Sequence, residues 1–431
     1  MIDIKKITML GLVALTLVAA GCQKEEKQAS VEKGKDLNIA VVTDIHYLSS
    51  RLRDGKEMEQ RVMANIDGRE ISNMDMVIEA LVADFGKVTP DALIVSGDLT
   101  FNGEKKSHED LAKVFARIEE LGVHVLVTPG NHDVSNPFAR EFIEDKMMKT
   151  EFVTPEEFAE IYKDFGFSDA VKRTEDNLSY IYKLSDDAYV LMMDSAKYDE
   201  NLTYDYPYTE GILSKSSLYL ITEAGAMAKE TDGVVIPVMH HNVLNHSESR
   251  NFGYTIENDE EVRLKFRDAG LKFNLSGHIH IQDIHFIDGI YDIVTGAFVT
   301  YPHKYGIVSV KDKMMEYQTE WVDVDGYARD KGLEEHYDFS AQARERFKQY
   351  SVTRFEKRLQ GTMPDEDIKP LTSLIGEMNA YFFSGEVVPE SVFDRAILDK
   401  LPEDDPTREY IEKRRIVDKY ENNYLKLELG N

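Results

Sequence analysis

Five short polar motifs punctuate the chain: D-I-H at Asp44 to His46, G-D at Gly97 and Asp98, G-N-H-D from Gly130 to Asp133, H-H at His240 and His241, and G-H-I-H from Gly277 to His280. Carboxylate, carboxamide and imidazole are the donors of Zn, Fe, Mn or Ni sites rather than of soft-metal centres. No thiolate accompanies them. Enough donors are present to assemble a site for two metal ions.

Each motif directly follows a short apolar segment, at 38–43, 92–96, 123–128, 233–239 and 271–275, and each segment reads as a β-strand. In a sheet flanked by helices, the loops beyond the strand ends gather side chains from distant sequence into one crevice. Helix-spaced apolar residues occupy 74–85. Another helix is expected from Ser107, with Asp110 completing a capping box, an apolar face of Leu111, Val114, Phe115, Ile118 and Leu121, and Gly122 as the stop. Strand, helix and strand thus alternate, which makes the fold α/β. Short alternating runs at 281–286, 289–295, 306–310 and 315–322 suggest a second sheet packed on the first, with the lone Trp321 as a core anchor. From about Asp325 the sequence is charged, helix-prone and without recognisable strands, punctuated by Pro364, Pro389, Pro402 and Pro406. That region carries no chemical motif and reads as a packing or capping domain. The expected divisions are a leader at 1–21, a tether at 22–37, the motif-bearing domain at 38–324 and a helical domain at 325–431.

The order and spacing of the motifs resemble the calcineurin-like metallophosphoesterase superfamily, whose pattern is D-x-H, G-D, G-N-H-[DE], H and G-H-x-H. The likeness covers residues 38–311, with every block present in order. It implies a two-sheet β-sandwich flanked by helices, and two divalent or trivalent ions drawn from Mn, Fe or Zn. It puts Asp44, His46 and His280 on one metal, Asn131, His240 and His278 on the other, and Asp98 as the bridge between them. Paired ions of this kind activate a bridging water for in-line attack on a phosphate ester. In the family, the histidine matching His132 is no ligand but gives a proton to the leaving oxygen, help worth about 10²–10⁴ in rate. Asp133 either orients His132 or caps its turn. His241 and His303 are candidates for supporting the site or touching substrate, while His108, His124, His285 and His336 are read as core or surface residues.

The block at Asp98 sorts subfamilies. Serine/threonine protein phosphatases carry Asp and a phosphate-binding Arg where this chain has Phe101 and Asn102, and purple acid phosphatases need a Tyr ligand where Phe101 stands. G-D-L-T-F-N-G, from Gly97 to Gly103, is most similar to bacterial class III cyclic nucleotide phosphodiesterases. The resemblance therefore implies a binuclear phosphodiesterase acting on cyclic nucleotides. A broad phosphomonoesterase or nucleotidase is the alternative enzyme, and a solute-binding lipoprotein the alternative outside enzymes. The insertion at 51–73 and the loop at 301–305 are expected to supply base or ribose contacts.

With 51 Lys and Arg against 79 Asp and Glu, the formal charge is −28, which repels polymeric nucleic acid and anionic membrane surfaces. A small phosphate ester is the expected partner instead. The one cysteine, Cys22, follows Lys5, Lys6 and an apolar run at 7–20, an arrangement similar to a bacterial lipoprotein signal. Fourteen apolar residues are too few to span a bilayer. Cys22 is thus expected to carry a lipid that anchors an extracytoplasmic protein to the cell membrane.

Overall fold

The computed structural model describes residues 31–66, 68–247, 252–415 and 421–429. The expected leader at 1–21 and the expected lipid site at Cys22 lie outside the described residues.

Two sheets face each other. One runs Tyr424–Glu428, Met314–Trp321, Lys304–Lys311, Leu37–Val42, Ala92–Ser96, His124–Thr128; the other runs Asp283–Ile287, Ile290–Val294, Phe273–Ser276, Val234–Met239, Ala188–Met193, Tyr180–Ser185, Lys172–Arg173. The Val- and Ile-rich central strands suit this setting, because every residue of Ala92–Ser96, Ala188–Met193 and Val234–Met239 is buried. Strand periodicity divides their side chains between two cores. Val190 and Met192 join the core between the sheets, whereas Leu191 and Met193 join a second core beneath the helices Lys215–Thr231 and Asp259–Ala269. The helices Met74–Lys87 and Lys105–Glu119 add Leu81, Phe85, Leu111 and Phe115 to the main core.

Several expectations change. The runs after Gly277 do not make one new sheet. Asp283–Ile287 and Ile290–Val294 extend the seven-stranded sheet, while Lys304–Lys311 crosses over and pairs antiparallel with Leu37–Val42. Trp321 is no core anchor: it ends an edge-proximal strand, is 55% exposed, and has Lys304 Nζ 5.2 Å above its ring. The helix expected from Ser107 begins at Lys105, with Glu104 at its N-cap and no side-chain cap. Ser107 is buried there and its hydroxyl accepts the Ser49 N–H at 3.1 Å, so it is not free to cap. Leu121 falls beyond the last turn and is exposed.

At both ends of the described residues the chain packs on the main domain. Within the expected tether, Val31 is buried, its N–H reaches Leu184 O at 2.9 Å, and Lys35 pairs with Asp91. Near the other terminus, Tyr424–Glu428 adds a strand to Met314–Trp321, with alternate residues Leu425 and Leu427 packed on the main core. Between them, the helices Phe339–Leu359, Asp365–Phe383 and Pro406–Arg415 enclose a separate core around Phe355, Leu371, Ile375, Met378 and Ile411.

Candidate metal centre

Leu37–Val42, Ala92–Ser96 and His124–Thr128 run parallel in one sheet, and Val234–Met239 and Phe273–Ser276 run parallel in the other. Their carboxyl ends open on a single crevice, and the five motifs are the loops that line it. Hydrogen bonds between the loops fix their spacing: Asp44 N–H to Gly97 O at 3.0 Å, and His46 N–H to Asp98 O at 2.9 Å. Two glycines permit this closeness. A Cβ at Gly130 would collide with the Asp98 carboxylate, and one at Gly277 with Thr43 and Asp44. Asp44, His46, Asp98, His278 and His280 all have left-handed backbone, with φ from 44° to 71°. Such strain persists only where the surroundings over-determine it, and here it turns five side chains inward.

The polar geometry leaves donor atoms aimed at common points. Asp44 Oδ2 is held by the Thr43 hydroxyl at 2.8 Å and the His278 N–H at 2.9 Å. Its Oδ1 is buried with no hydrogen-bond partner and lies 3.2 Å from His280 Nε2. His46 Nε2 faces His280 Nε2 at 3.1 Å. Asp98 Oδ1 accepts the His132 N–H at 2.9 Å, while Oδ2 lies 3.3 Å from His240 Nε2 and 3.6 Å from His46 Nε2. His240 Nδ1 bonds Ser96 O at 2.9 Å, which leaves Nε2 toward Asn131 Oδ1 at 3.3 Å. His278 Nε2 bonds Gly253 O at 2.9 Å and so leaves Nδ1 as its donor.

One donor atom from each of Asp44, His46, Asp98 and His280 lies within 4.8 Å of the others, and the same holds for Asp98, His240 and His278. Asp98 belongs to both groups, and Asn131 adjoins the second. The residues therefore fit two ions: a buried orphan oxygen, facing imidazole nitrogens and a shared carboxylate are the donor set of a bridged pair. Electrostatics agree. Burial pushes His46 well down and, with the charge of His240, takes His278 to about 3, so both rings present neutral lone pairs. Burial would raise Asp98, but His240 and His132 outweigh it and hold the carboxylate well below its usual range. His240 differs: burial opposes its proton, Asp98 overrides burial and raises it to about 9, and a bound ion would have to displace that proton to use Nε2.

His132 stands beside this cluster. Its Nδ1 bonds Phe101 O at 2.7 Å, and its Nε2 lies 4.0 Å from Asp98 Oδ2. Asp133 does not touch it. The Asp133 carboxylate instead accepts N–H bonds from Gly130, Leu99 and Thr100 at 2.8 to 3.0 Å, binding the G-N-H-D and G-D-L-T loops together. Burial and the charge of Asp98 push that carboxyl up to about 7 against those donors. Of the two roles left open for Asp133, the geometry matches the turn. His108 is buried directly behind it, 3.0 Å from Asp133 O and 2.9 Å from the Tyr162 hydroxyl.

Of the two further candidates, His241 backs the cluster and His303 stands apart from it. His241 is buried behind His278, 2.8 Å from Ser195 Oγ and 3.0 Å from Thr209 O. His303 turns to Phe298 O at 2.9 Å and packs on Phe339, away from the donor cluster. Sequence reasoning did not single out Arg69, although the insertion at 51–73 was expected near the site. Its guanidinium lies 5.7 Å from the Phe101 ring centroid and 3.4 Å from His46 Nδ1. Nothing local marks it, because its position depends on a bridge to Thr300.

An α/β sandwich with a strand-end cluster of this composition defines a metallophosphoesterase-type centre. Residues 37–282 match the calcineurin-like phosphoesterase family, and the chain belongs to that family. The metallophosphoesterase-like protein YydB of Bacillus subtilis is 25% identical over 214 residues, 44% of this chain and 41% of YydB, so the match spans less than half of that relative. Among solved structures, a dimetal phosphatase from Danio rerio aligns with 12% identity over 66% of this chain and 95% of its own, at a TM-score of 0.46. Purple acid phosphatase PPD1 from yellow lupin aligns with 10% identity over 68% of this chain and 52% of its own, at a TM-score of 0.40.

Proposed function

We propose that this chain is a binuclear-metal phosphodiesterase that hydrolyses nucleotide diesters, with cyclic nucleotides as the expected form. The observation that carries the nucleotide-ester reading is the placement of His132, anchored through Nδ1 and presenting Nε2 beside the shared carboxylate of Asp98, and the formal charge of −28 favours a singly charged diester over a doubly charged monoester. Two bound ions would supply a Lewis acid to the phosphoryl oxygens and an activated water. Asp98 offers oxygens to both halves of the centre, and Asn131 contributes a neutral donor that leaves its half electrophilic. His132 Nε2 delivers a proton to the leaving oxygen. That help matters most when the leaving group is a sugar alkoxide, as in a nucleotide diester, and little for an activated phenol. Arg69, fixed against Phe101 and His46, supplies a stationary positive charge for the oxygens of the transferred group.

The test is a hydrolysis panel on Mn-reconstituted protein. Cyclic nucleotides should show a higher kcat/KM than the matching nucleoside monophosphates. Faster turnover of every monophosphate would replace this reading with the nucleotidase one. We also propose, from the leader sequence, that the protein is exported and held at the membrane by a lipid on Cys22.

A further inference from the structure

The crevice continues into a cavity of about 1080 Å³ that runs from Asp98, Asn131, His132 and His280 to the C-terminal helices. Its far wall includes Phe347, Tyr350, Arg354 and Arg358 on Phe339–Leu359, and Tyr410 and Arg414 on Pro406–Arg415. Both Phe347 and Arg358 line it, and eleven residues of helix are about 16 Å long, so the cavity is an elongated open cleft. Ligand sites for one drug-sized molecule span roughly 300–1,000 Å³. There is room for more than the ester that reacts.

The chemistry of that wall is opposite in sign to the chain as a whole. Arg354 and Arg358 lie one helical turn apart, about 6 Å along the axis. Neither forms an ion pair with a described carboxylate: Arg354 reaches only the Tyr350 hydroxyl at 3.4 Å, and Arg358 lies over the Phe355 ring at 5.8 Å. Among the described residues, Glu409 is the one carboxylate that these helices give the cavity, and Lys413 pairs with it at 2.9 Å. Arg414 stacks over Tyr410 at 3.5 Å. In a protein of formal charge −28, two exposed arginines on the wall of a cavity, with no ion pair among the described residues, offer a site for an anion. The aromatic rings beside them suit a base.

Resting on the phosphodiesterase reading, we propose that the helical region is a specificity wall, which favours, among cyclic or linear nucleotide diesters, those carrying a second phosphate that is not cleaved. The scissile diester sits at the metal centre, and Arg354 and Arg358 hold the other phosphate.

The linear dinucleotides pApA and ApA differ only by a terminal phosphate and serve as the probes. Their binding to the full chain is measured by calorimetry in EDTA, where no turnover occurs and any loss at the empty centre affects both ligands alike. The wild type should bind pApA at least about tenfold more tightly than ApA. Arg354→Ala with Arg358→Ala should bring that ratio to about one, and the paired Lys substitutions should restore part of it. Equal affinity of the wild type for both probes, or a preference that survives the double Ala change, overturns the proposal. Hydrolysis of both by the Mn-loaded protein separates the two claims. Cleavage with no discrimination between the probes sinks the wall and leaves the diesterase; arginine-dependent binding without cleavage does the reverse.

Discussion

Asp98 is the residue on which both halves of the centre depend, since its Oδ2 lies within 3.3 Å of His240 Nε2 and 3.6 Å of His46 Nε2. His132 depends on it too, through the backbone bond to Oδ1 that places the ring. Separating ligand from acid gives a residue-scale prediction. His132→Ala should keep its metal content, slow diesters with alkoxide leaving groups by about 10²–10⁴, and slow bis(4-nitrophenyl) phosphate far less. Equal losses on the two substrate types would remove the proton-donor role. At this scale much was legible, because each motif is contiguous and its donor types already state its chemistry. Arg69 was not, since its place beside His46 is set by pairing with Thr300, far away in sequence. The role of Asp133 also needed the fold, because its partners Leu99 and Thr100 lie on another strand-end loop.

Among the elements, the strands that bear the motifs were readable from apolar runs, whereas the partition of later strands between two sheets was not. Alternation reports that one face is buried, but not against which edge, and the free edge of Leu37–Val42 is what recruits Lys304–Lys311. Loops on the seven-stranded sheet are tied by charge as well as packing. His246 Nδ1 lies 2.8 Å from Asp283 and its Nε2 lies 3.3 Å from Asp292, whose carboxylate also accepts the N–H groups of Val243 and Leu244. His285 stacks on the same ring at 4.7 Å. Burial would lower His246, but Asp283 and Asp292 outweigh it and lift it to about 9 from the ordinary 6.5. A histidine raised in the folded state contributes stability that is fully present below about pH 6.5 and is lost as pH climbs through about 9, here about 3 kcal/mol. Denaturant midpoints of the wild type should therefore fall over that interval more steeply than those of His246→Gln. Parallel curves would show that the pair does not carry the charge.

For the whole molecule, the formal charge of −28 was read as unfavourable to polymeric nucleic acid and anionic membrane surfaces, and the structure adds a local cationic exception. Arg354 and Arg358 escaped the sequence reading because their helix alternates cations, aromatics and acids without a motif; only the cavity shows which face they share. The leader belongs to this scale as well. Cys22→Ser should move the protein from the membrane to the soluble fraction with catalysis intact, and membrane retention of that variant would contradict lipidation. Every catalytic statement rests on paired metals, so the most direct measurement is metal stoichiometry with electron paramagnetic resonance on the Mn(II)-reconstituted protein. The account predicts two Mn per chain and an exchange-coupled spectrum, with coupling and turnover both lost in Asp98→Asn. A single Mn per chain, or an uncoupled Mn(II) signal from the fully active wild type, would contradict it.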